Sequence, residues 1–240
     1  MKRLLFIFHF SFFIFHLALA QVGEPRTDLA IGVNGGVAVN KVMFKPSIKQ
    51  TFKPGAVMGV TVRYTCEKYF KMLCAFQGEV NYSQAGWKEK TESGDNLYQR
   101  TVHYVQIPLL ANLGFGREHG GVKGFLNVGP QLGFVIGETV KTTGDGSGYV
   151  PPQFLLDGLP NQHDMNVEKK FEYGITGGLG MDISTKNGHH FIIEGRYFYA
   201  LSDIFGNSKR DYFGRSNLTN IVIKMTYLFD IHRSKNPKIK

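Results

Sequence analysis

The chain has 240 residues, a formal charge of +9, 29 glycines and 13% aromatic residues, a size that suits one domain. Its Lys and Arg are scattered and no nucleic-acid-binding motif surrounds them, so the basic balance does not point to nucleic acid. Beyond residue 20 no apolar run approaches the ~18–20 residues a membrane-spanning helix needs.

The first 20 residues read as a secretory leader. Lys2 and Arg3 precede an apolar stretch from Leu4 through Leu19, which closes on Ala18-Leu19-Ala20, the small-x-small pattern of signal-peptidase cleavage. A retained anchor helix is the alternative, and the small residues at the cleavage position argue against it. Cleavage leaves Gln21 as the new terminus. Loss of Lys2 and Arg3 lowers the formal charge from +9 to +7. No Cys follows the cleavage site, so a lipid anchor is not expected.

After the leader the sequence beats in twos. Leu126, Val128, Pro130, Leu132, Phe134 and Ile136 are apolar, while Asn127, Gly129, Gln131 and Gly133 between them are small or polar. Such alternation is a strand with one face in an apolar medium. The pattern predicts eight strands, at 29–39, 55–65, 73–84, 102–114, 123–136, 171–183, 189–201 and 218–229. Each is near or above the ~9–11 residues that a tilted strand needs to cross a bilayer. The connections alternate in length. Residues 40–54, 85–101, 137–170 and 202–217 are long and polar; 66–72, 115–122 and 184–188 are short. Long extracellular loops and short periplasmic turns are the habit of outer-membrane barrels. A soluble β-sandwich would have no reason to alternate its loops this way, or to use such long strands.

The fold class is therefore all-β: an eight-stranded antiparallel up-and-down transmembrane β-barrel over residues 21–229, with a basic periplasmic tail at 230–240. Its expected address is the outer membrane of a Gram-negative cell, and its natural acidic neighbours are the outer-membrane lipids and the phosphates of lipopolysaccharide.

The opposite register collects the charges. Arg63, Glu79, Asp182, Glu194, Arg196 and Lys224 fall on the inward face. Eight strands leave an interior that side chains just fill, so these groups must pair with one another. A structural ion-pair network is favoured over a proton or ion path. Pro108 and Pro130 lie within strands and predict bulges or bends. Cys66 and Cys74 bracket the second turn. The oxidising periplasm allows a disulfide between them, and two free thiols remain equally open.

Catalytic groups are sparse. His163-Asp164, Ser202-Asp203 and His189-His190 are the only suggestive sets, and adjacent histidines in a strand point to opposite faces. No enzymatic activity, cofactor or metal is expected. The loops suggest binding instead. Lys41, Lys45, Lys49 and Lys53 lie in the first long connection and Lys209, Arg210 and Arg215 in the last, and ring closure would set these two side by side.

Four segments carry a family resemblance: Ile31-Gly32-Val33-Asn34-Gly35-Gly36, Gly78-Glu79-Val80-Asn81-Tyr82-Ser83-Gln84, Val105-Gln106-Ile107-Pro108-Leu109-Leu110 and Asn127-Val128-Gly129-Pro130-Gln131-Leu132-Gly133. In this order and spacing the chain resembles the PorT-like outer-membrane β-barrel family common in Bacteroidetes. The resemblance implies an eight-stranded barrel in the outer membrane, and its namesake takes part in type IX protein secretion. The chain departs from the usual aromatic terminus, because Phe229 is followed by the basic tail. Two functional readings result: a structural or partner-binding barrel that uses its long loops, and a component of a protein-secretion apparatus working with other envelope proteins. A narrow pore is a third, weaker reading.

Overall fold

The computed structural model describes residues 24–89, 97–117, 120–143, 165–206 and 213–234. The alternating segments form strands β1 (Glu24–Lys45), β2 (Gln50–Thr51), β3 (Lys53–Tyr69), β4 (Met72–Glu89), β5 (Leu97–Gly116), β6 (Gly121–Thr143), β7 (Phe171–Ser184), β8 (His189–Asp203) and β9 (Arg215–His232). Every pairing is antiparallel. The eight long strands pair in chain order, β4 joins β5, and β1 meets β9 to close the ring. The two-residue β2 is an extra flap on the C-terminal end of β4.

The outward positions are apolar and bare. Val33, Leu179 and Met225 are 58%, 66% and 67% exposed, and similar residues follow on every wall strand. A belt of this extent would be untenable in water and is what hydrocarbon requires. Most wall strands run beyond their predicted ends, chiefly at the end that carries the long connections, where β1 continues to Lys45, β4 to Glu89 and β6 to Thr143. At the other end β9 passes Phe229 and reaches His232. Arg233 Nε donates to Asp230 Oδ2 at 2.6 Å and Ser234 N to Asp28 Oδ1 at 2.5 Å. Residues 230–234 are thus tied to the end of the wall.

Pro108 and Pro130 each fall at a gap in a ladder. No pairing of β4 to β5 occurs between Gly78–Leu109 and Asn81–Gln106, nor of β5 to β6 between Pro108–Gln131 and Ala111–Val128. The register is the same on both sides of each gap. Pro108 and Pro130 therefore interrupt the ladder locally without a bulge, because the long flanking stretches hold the alignment that the missing N–H groups cannot. The bulge in this pair of strands lies at His103/Tyr104.

Toward the end of the barrel that carries the long connections the interior is rich in aromatic and aliphatic side chains, with Arg100 set over the Trp87 and Phe205 rings and Glu89 accepting the Trp87 indole N–H. Val42 and Phe44 of β1, Trp87 of β4, and Tyr98, Val102 and Tyr104 of β5 pack with Phe198 of β8 and with Val167, Ile204, Phe205 and Phe213 from the connections. Phe44 lies 4.7 Å from Phe213 and 5.2 Å from Trp87, ring centre to ring centre. The connections are held in by backbone bonds, Gly214 N to Lys45 O at 2.9 Å and Ile204 N to Ser216 O at 3.0 Å. This mouth of the barrel is therefore filled by an aromatic plug. Trp87 is the only tryptophan of the chain and is 2% exposed. In micelles its emission should be blue-shifted and resist iodide quenching, and Phe205→Ala should cost about 3–5 kcal/mol by leaving a cavity. A red-shifted, readily quenched Trp87 would mean that the mouth is open.

Candidate functional site

Below the plug, strand alternation aims four charged side chains into the lumen from β4, β8 and β9. Arg196 lies between two carboxylates. It grips Glu79 with two bonds, of 2.9 and 2.6 Å, and donates to Glu194 at 2.9–3.1 Å. Lys224 Nζ bridges the same acids, 2.5 Å from Glu79 and 3.1 Å from Glu194. Gln77 and Asn81 donate to Glu79 at 2.7 and 2.8 Å, and Asn127 donates to Glu194 at 2.9 Å. Asn34 continues the net to Asn81 and Thr61. Two acids and two bases leave this layer neutral, which buried charges require.

Glycines make the room. Gly36 is the register partner of Lys224 and Gly178 of Arg196. A Cβ on Gly36 would come within 2.5 Å of the Lys224 Cβ, and one on Gly178 within 2.7 Å of the Arg196 Cγ. Small residues on β1 and β7 thus let the long cations of the neighbouring strands cross the lumen.

Near the end that carries the short turns a second cluster forms around Asp182, which accepts from Arg63 at 2.9 Å, Lys123 at 3.3 Å and His190 at 2.9 Å. The other ring nitrogen of His190 faces Asp230 at 3.1 Å. A cavity of about 20 Å³, enough for one water, lies beside Arg63, Lys123, His190 and Asp230. The six charges expected in one lumen network are thus divided. Glu79, Glu194, Arg196 and Lys224 meet, whereas Arg63 and Asp182 belong to the lower cluster. Its other members, Lys123, His190 and Asp230, were legible from the inward phase of β6, β8 and β9 but escaped the sequence reading.

The rim holds the third group. Lys41, Lys45 and Lys49 are exposed. Lys41 stands 6.0 Å over the Phe52 ring, and Lys45 is the register partner of Arg215 across the β1–β9 seam. Arg215 lies over Tyr199, hydrogen-bonds its hydroxyl, and is near Asn217 as well. Lys53 corrects the expected patch. It starts β3 on the lumen-facing phase shared with Val57, Thr61 and Arg63, and is 3% exposed, so Phe52 faces out in its stead. Lys209 and Arg210 lie outside the described residues.

Cys66 and Cys74 are free thiols. A bulge between Thr65 and Glu67 sets Glu67 opposite Cys74, and the Cys66 thiol donates to the Cys74 carbonyl at 3.3 Å. Ser202 Oγ accepts the Tyr173 N–H at 3.1 Å and Asp203 Oδ1 the Ser216 N–H at 2.6 Å, so both are engaged with backbone. His163 and Asp164 lie outside the described residues. His189 faces out to Tyr227 while His190 faces in.

Residues 19–206 match the family model described as "Outer membrane protein beta-barrel domain". The chain belongs to this family. Members of the outer membrane protein beta-barrel domain family reside in the outer membrane, and the apolar belt is the physical counterpart of that address. Among solved structures, OprG from Pseudomonas aeruginosa is similar at 13% identity, over 88% of this chain and 98% of its own, with a TM-score of 0.50. Neisserial surface protein A is similar at 14% identity over 82% and 97%, TM-score 0.40, and Ail of Yersinia pestis at 14% over 86% and 99%, TM-score 0.35. Identities this low speak to fold alone. No curated protein matches the chain in sequence.

Proposed function

We infer that the protein is a closed, non-conducting outer-membrane barrel that binds the phosphates of lipopolysaccharide through its extracellular rim. The observation that carries this reading is the cross-seam pair Lys45 and Arg215, with Lys41 on the same outward face directly above Val39 and Ile221 of the apolar belt. Cations at that height meet the headgroup layer, where each basic residue contributes roughly 1 kcal/mol toward an anionic surface. The aromatic plug and the neutral ion-pair layer support a structural or binding role over that of a pore. Export by a cleaved signal peptide at residues 1–20, a Gram-negative envelope and membership of the PorT-like subgroup belong to the same proposal, on the strength of the leader and the four motifs quoted above. Association with other envelope proteins would run through the long extracellular connections.

The test is lipid retention. Protein extracted from native membranes should carry lipopolysaccharide, and a Lys41→Gln/Lys45→Gln/Arg215→Gln variant should carry several-fold less while keeping its heat-modifiable mobility. Equal loading of the variant would refute the rim reading. A steady single-channel conductance in planar bilayers would refute the closed interior.

A further inference from the structure

The pairing of β7 with β8 stops short of the ends of both strands. β7 and β8 pair from Ser184–His190 up to Gly174–Ala200, and no ladder pair follows above it. A backbone bond reappears only at Lys169 N to Ile204 O, 3.2 Å. Between these points Ser202 Oγ, rather than a backbone carbonyl, receives the Tyr173 N–H. The cause lies on the far side of β8. Between the pairs Tyr199–Thr219 and Asp203–Asn217, β8 advances four residues while β9 advances two, so a bulge draws Leu201 and Ser202 away from β7.

The separation leaves a cleft of about 330 Å³, lined by Lys169, Lys170, Phe171, Tyr173, Leu201 and the Ser202–Asp203 pair. Its apolar members are outward-facing: Phe171, Tyr173 and Leu201 are 46%, 47% and 50% exposed, and they continue the belt of Ile175 and Tyr197 below. Phe171 stacks on Tyr173 at 6.1 Å and lies 5.2 Å from Phe134, so the β7 side is a fixed aromatic wall. Above it Lys170 is exposed. On the other flank Tyr199 carries Arg215, the rim cation already described. The cleft is near the lower bound of the ~300–1,000 Å³ usual for ligand sites and opens toward lipid; its charged lining groups are the cations Lys169 and Lys170 and the anion Asp203, which accepts the Ser216 N–H.

We propose that this gap seats one phosphorylated, acylated lipid of the outer leaflet, of the lipid A type. An acyl chain lies between Leu201 and the Phe171–Tyr173 wall, and a headgroup phosphate meets Lys170, with Arg215 on the β9 side. A hydrocarbon chain fits because the side chains on either side of it, Leu201, Phe171 and Tyr173, are apolar or aromatic and already face lipid. A phosphate fits because a charge-assisted bond at the headgroup boundary is stronger than a neutral one. The proposal rests on the outer-leaflet orientation of the rim argued above, but it assigns a discrete, saturable site where the rim patch alone predicts diffuse attraction.

The test uses the full barrel in detergent micelles, titrated with bis-phosphorylated hexa-acyl lipid A and with its dephosphorylated form, and read by native mass spectrometry. The wild type should take up one lipid A saturably. Leu201→Trp, which fills the cleft, should abolish that uptake. Lys170→Gln, an exposed substitution that leaves the wall intact, should weaken the phosphorylated lipid about tenfold and leave the dephosphorylated one unchanged. Lys41→Gln/Lys45→Gln should reduce total lipid loading and preserve the single saturable event. Saturable binding unaltered by Leu201→Trp or by Lys170→Gln overturns the cleft while leaving the rim reading standing. Loss of all binding in Lys41→Gln/Lys45→Gln overturns it too, because the rim alone would then hold the lipid. Absence of any lipid A on the wild type overturns both. If Leu201→Trp fails to fold on a heat-modifiability gel, the Lys170→Gln titration decides.

Discussion

Glu79→Leu is expected to destabilise the folded barrel by about 3–5 kcal/mol, because it strips a buried layer of one of its two anions. Arg196 would lose two bonds and Lys224 its shortest contact, and Gln77 and Asn81 would be left facing the hole. A net positive charge would remain among residues that are at most 5% exposed. The companion variant Glu79→Leu/Lys224→Met restores neutrality and should recover part of the loss, since contacting residues of one network do not add independently. Urea titration of the barrel in vesicles measures both. A single variant as stable as the wild type would mean that water fills this layer, and a double variant no better than the single would mean that packing, rather than charge balance, sets the penalty.

The second large effect concerns the other side of the wall. Leu179 lies mid-strand in β7 and is 66% exposed to lipid. Leu179→Arg should cost about 2–4 kcal/mol, whereas the same replacement at Ile183, near the periplasmic boundary, should cost only about 0–1 kcal/mol. Leu179→Phe should be neutral. The depth dependence is the diagnostic part. Arginine penalties equal at Leu179 and Ile183 would remove the bilayer from the explanation and shift attention to packing. The adjacent lumen position makes a useful contrast: a side chain on Gly178 meets the Gly195 carbonyl at 2.4 Å, so Gly178→Leu should be harmful whatever the thickness of the bilayer.

These two experiments touch the parts of the molecule that the sequence made most visible. Within the membrane the medium outside is apolar and the lumen is polar, so residues such as Val128 and Asn127, or Ile193 and Glu194, announce their sides directly. Above the membrane the polarity reverses. Lys41 and Lys45 face outward while Val42 and Phe44 face in, and Trp87 turns inward in the same way. The alternation continues there with its sign inverted. Read with the membrane's sign such a stretch looks like a polar loop; Lys53, buried beside an outward Phe52, keeps the membrane's sign and is hidden instead by its place at the end of a polar connection. The plug was hidden for a second reason. Ile204, Phe205 and Phe213 are isolated apolar residues in polar surroundings, and only the closed ring brings them onto Phe44 and Trp87. Pairing within the lumen was likewise beyond the one-dimensional pattern: alternation could assign Arg63 and Lys224 to the interior, but their height along the barrel depends on strand stagger. The bulge that separates Thr65 from Glu67, and with it the geometry of Cys66 and Cys74, left no mark in the alternation.

The seam between β1 and β9 has a consequence for assembly. The last strand of the chain delivers Lys224 to acids held by β4 and β8, and it does so in the same step that pairs it with the first strand. A sheet still waiting for β9 would hold Glu79 and Glu194 against Arg196 alone. An unfinished barrel is therefore electrically unfinished too, and mechanical closure of the wall coincides with neutralisation of its interior.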